Sequence, residues 1–223
     1  MYCPITVNPV NIVFVLVALA ALLISLSTHE YCHALVSYVL GDRTAQRSGR
    51  LTLNPIAHID PIGTVLIPLI GALSGFPVIG WAKPVPFNPY NLKYGKWGPV
   101  LVALAGPVSN FAMAGIYLAL LRLVIAFLSL SPTNLLVLFL TLLVMVNVVL
   151  GIFNFIPVPP LDGSKLLHAL MTAPKYRGTL IWLETRGPLV IMLIIFADYF
   201  LNLHILSGLF NAAINAVFRL GGL

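Results

Sequence analysis

From Asn134 to Phe155 the chain runs 22 residues without one charged side chain. A run of that length and apolarity has few stable homes. About 20 such residues cross the hydrocarbon core of a bilayer as a helix, which satisfies its own backbone hydrogen bonds where no water can. The run from Trp97 to Leu130 is similar and carries a single charge, Arg122. Pro9 to Leu40 is a third. It lacks a basic leader and continues into ionisable residues, so it reads as a retained transmembrane helix rather than a cleaved signal. At roughly 45 Å of helix it exceeds the ~30 Å core, so one end tilts or protrudes.

Composition supports lipid as the main solvent. Hydrophobic residues make up 60% of the 223 and charged residues only 8%, against about 25% charged in soluble domains. Mean hydropathy is +1.01. A soluble domain and a disordered chain are both excluded. The two cysteines, Cys3 and Cys32, do not make a disulfide framework.

Later segments are shorter. Ile62 to Leu73 holds Pro68 and is punctuated by Gly63, Gly71 and Gly75, the pattern of a re-entrant or broken helix. Pro188 to Leu201 and His204 to Phe218 read as two further spans. Between Ser48-Gly49 and Asn54, the alternation in Arg50-Leu51-Thr52-Leu53 predicts a short edge strand or hairpin. The expected architecture is an all-α polytopic bundle of five to six transmembrane segments. It carries a short re-entrant segment and a small membrane-associated β-hairpin, all in one domain over residues 1–223.

The net charge of +6 falls in short connecting segments, with no basic cluster interleaved with aromatics, so nucleic acid is not a partner. Arg43, Arg47 and Arg50 follow the first span. Lys83, Lys93 and Lys96 precede the Trp97 run. Lys165, Lys175, Arg177 and Arg186 follow the Asn134 run. All three groups share one side only if Ile62–Leu73 does not cross. The positive-inside rule places that side in the cytoplasm.

The first span ends in His29-Glu30-Tyr31-Cys32-His33, the H-E-x-x-H pattern. Residues four apart share a helix face, so both imidazoles can hold one metal. Glu30 is placed to act as general base and then proton donor. Ionisable groups in an apolar helix are costly and point to function. Zinc needs a third protein ligand and an open position. Asp162, just after the proline-broken end of the Asn134 run, is the best candidate.

These motifs resemble those of the site-2 protease family, zinc intramembrane metalloproteases. The resemblance rests on the H-E-x-x-H, on Gly106-Pro107-Val108-Ser109-Asn110, and on Asn154-Phe155-Ile156-Pro157-Val158-Pro159-Pro160-Leu161-Asp162-Gly163. It spans residues 29–163 and shows no PDZ or CBS-type insertion. It implies one Zn²⁺ per chain held by His29, His33 and Asp162, with Glu30 as acid/base. It also implies that Asn154 binds the substrate backbone or the oxyanion.

Four polar residues keep two readings, His58 and Asp60 as a pair. His58 and Asp60 form either a group beside the metal, with Asp60 orienting His58, or a polar cap for the helix after Pro61. Asn110 is either part of the site or an interhelical hydrogen bond. Asn154 either serves the site or caps freed backbone groups.

The implied activity is hydrolysis of peptide bonds in or near the transmembrane segments of substrate proteins. The enzyme is expected in a prokaryotic cell membrane, with its site accessible from the cytoplasm. A metal-binding transporter and a non-catalytic membrane scaffold are the alternatives. Substrate identity and oligomeric state are not encoded in these motifs.

Overall fold

The computed structural model describes residues 12–74 and 80–223; Cys3 and the start of the first predicted span lie outside them. The elements are helical: α1 (Ile12–Val39), α2 (Thr44–Arg47), a π-helical turn Pro61–Leu66 leading into α3 (Ile67–Ser74), α4 (Gly98–Leu128), α5 (Leu135–Phe155), α6 (Ser164–Leu170), α7 (Arg177–Phe200) and α8 (Ile205–Leu220).

Among the described residues, four helices are long and apolar enough to cross a bilayer: α1, α4, α5 and α7. The chain is an integral, multi-pass membrane protein. The described residues hold four such helices where five to six spans were expected. One reason is α8, whose 16 residues reach only about 24 Å. The predicted span from Pro188 begins earlier than expected, since Pro188 lies inside α7 rather than at its start. Membrane helices tolerate such a proline because neighbours re-satisfy the freed carbonyl.

The Ile62–Leu73 segment enters and returns at the same end of the bundle. Trp81 N–H donates to Gly63 O (3.1 Å), and Thr64 Oγ1 donates to Trp81 O (2.7 Å). Gly63 has no alternative here: a Cβ on it would lie 2.2 Å from the Trp81 ring. Asp60 starts this segment as a helix cap. Its Oδ1 accepts from Ile62 N (3.0 Å) and Gly63 N (2.9 Å), next to Pro61 at the first helical position.

The predicted β-hairpin is absent; no strand occurs among the described residues. The backbone of Arg50–Leu53 is already committed elsewhere. Arg50 N–H donates to Ala45 O, the Arg50 guanidinium reaches Ala57 O, and Thr52 O accepts from His58 Nε2 at 2.8 Å. The alternation of polar and apolar residues there serves a loop wrapped on one arginine and one histidine.

The core is built from four helices. Leu121 and Ala114 of α4 pack against Val137, Leu140, Val144 and Val148 of α5, with Ala21 of α1 and Ile214 and Phe218 of α8. Asn134 caps α5 through Leu136 N (2.9 Å). By contrast, α7 buries only Gly187.

At the far end of α1, Asp42 ties the helix to the loop that precedes α4. It is fully shielded from solvent. Its carboxylate accepts from Thr44 N and Oγ1, from Asn88 N (2.6 Å) and from Asn91 Nδ2 (3.1 Å). Desolvation alone would raise its pKa. The hydrogen bonds from Thr44, Asn88 and Asn91 outweigh that and bring it from 3.8 down to about 2.

Candidate metal centre

His29 and His33 sit one turn apart on α1, roughly 15 and 9 Å of helix before its end. Both are buried, as is Glu30. The helix face they occupy meets α4 where α4 has no side chain. A Cβ on Gly106 would lie 2.5 Å from His29 Cε1 and from His33 Cε1 and Nε2. The glycine of the G-P-x-x-N motif is thus the floor on which the imidazoles rest.

Each imidazole is held through Nδ1. His33 Nδ1 lies 2.7 Å from Val102 O. His29 Nδ1 lies 2.6 Å from Asn110 Oδ1. With both Nδ1 atoms donating to oxygens, both Nε2 atoms are bare. They face each other at 3.0 Å.

The third group arrives from the loop after α5. Gly163 N–H donates to Asn154 O (2.8 Å), which folds the proline-rich loop back on the helix end. Gly163 admits no Cβ, since one would lie 2.3 Å from Phe155 O. This turn presents Asp162 Oδ2 at 3.1 Å from His29 Nε2 and 3.4 Å from His33 Nε2. Asp162 Oδ2 is buried and has no hydrogen-bond donor.

Three lone-pair atoms therefore converge with no hydrogen to share among them. Their separations of 3.0, 3.1 and 3.4 Å match the edges of a tetrahedron with ~2.0–2.1 Å metal–ligand distances, about 3.3 Å. Two imidazoles and a carboxylate suit Zn²⁺. Among the described residues, His29, His33 and Asp162 are the group placed to hold a metal.

Glu30 extends from the same helix turn, and its Oε2 accepts from Val85 N at 3.2 Å. Sequence reasoning missed Val85. Its signal was Pro84-Val85-Pro86: prolines carry no N–H, so Val85 supplies the one backbone donor in that stretch.

The remaining polar candidates divide. Asn110 joins the centre through His29. His58 and Asp60 are not brought to it: His58 is buried and donates to Thr52 O, and Asp60 is a helix cap. Asn154 Nδ2 donates back to Leu150 O at 3.0 Å, four residues earlier in α5.

Comparison with known proteins decides the family. Over 224 residues the chain is 36% identical to the Bacillus subtilis protein named "Putative zinc metalloprotease YwhC", covering 99% of this chain and 94% of that one. The profile of Peptidase family M50 matches residues 123–195. The chain belongs to peptidase family M50. That match takes in Asp162 and α5 but begins after the histidines, whose place on α1 the structure supplies.

Two mycobacterial proteins named Rip2 carry the same description. The Mycolicibacterium smegmatis protein is 30% identical over 78% of this chain and 64% of its own length. The Mycobacterium tuberculosis (Erdman) protein is 34% identical over 70% of this chain and 57% of its own. No solved structure matches significantly. As an M50 member the chain is a membrane zinc metalloendopeptidase.

Proposed function

We propose that the whole chain forms one intramembrane protease domain. It hydrolyses peptide bonds in or near the transmembrane segments of other membrane proteins. The observation that carries this reading is the convergence of His29, His33 and Asp162 beside Glu30, well inside α1.

His29, His33 and Asp162 hold the zinc. Bound there, zinc supplies a Lewis acid for a water and for the scissile carbonyl. Glu30 takes the water's proton and returns it to the leaving amine. Val85 N–H holds one Glu30 oxygen, which leaves the other free for that proton. Asn154 donates to the carbonyl oxygen as its charge develops, turning away from Leu150 O to do so.

The site opens toward the cytoplasm in this reading. The C-terminal ends of α1 and α5 and the N-terminal ends of α4 and α7 lie at one end of an alternating four-helix path. The three basic groups flank those ends, where the positive-inside rule puts the cytoplasm.

The test uses full-length protein in proteoliposomes with a single-span substrate. Glu30→Gln should retain one zinc per chain and lose cleavage by at least about 100-fold. Zinc flux into the vesicles with Glu30→Gln unaffected would replace the protease reading with transport.

A further inference from the structure

The two histidines owe their orientation to different partners. His33 Nδ1 faces Val102 O, a backbone carbonyl that can only accept, so the hydrogen on Nδ1 is fixed directly. His29 Nδ1 faces a side-chain amide. Asn110 has an oxygen and an NH2 to offer, and presenting the NH2 would move the His29 hydrogen to Nε2. The lone pair that faces Asp162 would then be lost. Something must hold the Asn110 amide one way round.

The holding residue lies on α5. Asn110 Nδ2 donates to Asn147 Oδ1 at 2.9 Å. Asn147 is itself an amide, yet its orientation is not free. Its Nδ2 lies 2.8 Å from Leu143 O and 2.8 Å from Ser25 Oγ. Leu143 O can only accept. Ser25 spends its hydrogen on Ala21 O (2.8 Å), so its oxygen also accepts. Both partners demand the NH2 of Asn147, which leaves Oδ1 for Asn110.

Donation then runs in one direction. Asn147 gives to Leu143 O, Asn110 gives to Asn147 Oδ1, and His29 Nδ1–H gives to Asn110 Oδ1. Asn110 and Asn147 are 0% exposed, Ser25 1% and His29 4%. Such burial makes a reversed amide costly, because its polar atoms would face like atoms with no water to relieve them.

We propose that Asn147 is a positioning residue for the metal centre: anchored on the Leu143 carbonyl, it fixes the Asn110 amide and so sets the His29 tautomer that leaves Nε2 free for the metal. This rests on the reading of His29 as a zinc ligand. Asn147 itself touches neither metal nor substrate. It acts through Asn110 alone.

The experiment measures zinc affinity of the detergent-purified full chain by chelator competition. The His29 tautomer is read by ¹⁵N NMR of histidine-labelled, zinc-free protein. Asn147→Ala, and the near-isosteric Asn147→Leu in case the smaller residue impairs folding, should weaken zinc about 10-fold. They should also give a mixed His29 tautomer. Asn147→Asp still accepts from Asn110 and should stay within about threefold of wild type. Ser25→Ala leaves the Leu143 anchor and should stay within about twofold.

The double variant Asn110→Ala/Asn147→Ala should bind zinc no more weakly than Asn110→Ala, because the two act in series. An unchanged tautomer in Asn147→Leu overturns the proposal. So does a Ser25→Ala loss equal to that of Asn147→Ala, or full additivity in the double variant. A folded wild type without zinc affinity would instead remove the ligand reading, and this proposal with it.

Discussion

Gly106 offers the sharpest test of the centre's geometry. Gly106→Ala adds one methyl group, with its carbon 2.5 Å from three ring atoms of His29 and His33. Ordinary contact begins at 3.4 Å, so the rings must retreat by about 0.9 Å, or α1 and α4 must separate by as much. Metal–ligand distances tolerate only about 0.2 Å. The rings cannot retreat freely, since Nδ1 of each is tethered to α4 at Val102 and Asn110. A misplacement of about 1 Å at a reacting centre costs on the order of 100-fold.

We therefore expect zinc affinity and kcat/KM each to fall by about 100-fold. The helix should not suffer, since alanine is favoured over glycine in a helix by about 1 kcal/mol. The assay is chelator competition beside thermal unfolding with and without zinc. Wild type should show a zinc-dependent rise in Tm and Gly106→Ala almost none. Zinc affinity in Gly106→Ala within about threefold of wild type would refute the idea that both imidazoles bear on the α4 backbone and together hold the metal.

Other substitutions probe the supports around the centre. Asp162→Asn should reduce bound zinc well below one per chain by elemental analysis, because a neutral amide replaces the anionic ligand. The carboxyl of Asp42 is lowered on folding, so it stabilises the fold above pH 4, and that contribution is lost as pH falls toward about 2. Asp42→Asn should therefore be less stable than wild type near neutrality and show a flatter loss of Tm between pH 4 and 2. Asp60→Ala removes a cap accepting from two backbone N–H groups and should cost about 1 kcal/mol by denaturation, with zinc content unchanged. Gly187→Ala would set a Cβ 2.3 Å from Pro159 O, and a measured fall in cleavage with zinc retained is the expected outcome.

What could be read from the sequence was what depends on near neighbours. His29 and His33 needed only helical spacing, and α5 needed only its apolar run. The non-crossing Ile62–Leu73 segment followed from its length and from where the lysines and arginines fell. The hairpin failed for the opposite reason. Its alternation was local, but the Thr52 carbonyl is claimed by a histidine six residues on, and the Arg50 guanidinium by Ala57.

Val85 and Asn147 were invisible on similar grounds. Val85 meets Glu30 across 55 residues and Asn147 meets Asn110 across 37. A lone asparagine in an apolar helix reads the same whatever it faces. The start of α7 was misplaced because Arg186-Gly187-Pro188 looks like a boundary in water. In the fold, Gly187 is where the helix touches the Asp162 loop.

That close approach has a mechanical consequence. Most of α7 presents apolar side chains such as Trp182, Met192, Leu193 and Phe200 outward, so lipid tails, more than protein, are its packing material. A helix held this way can answer a change in bilayer thickness by tilting. Its tilt is felt by the protein at Gly187 against Pro159, three residues ahead of Asp162. A change in that tilt would bear on the loop that carries Asp162, through this contact and through the Glu184–His168 pair on the helix that follows it.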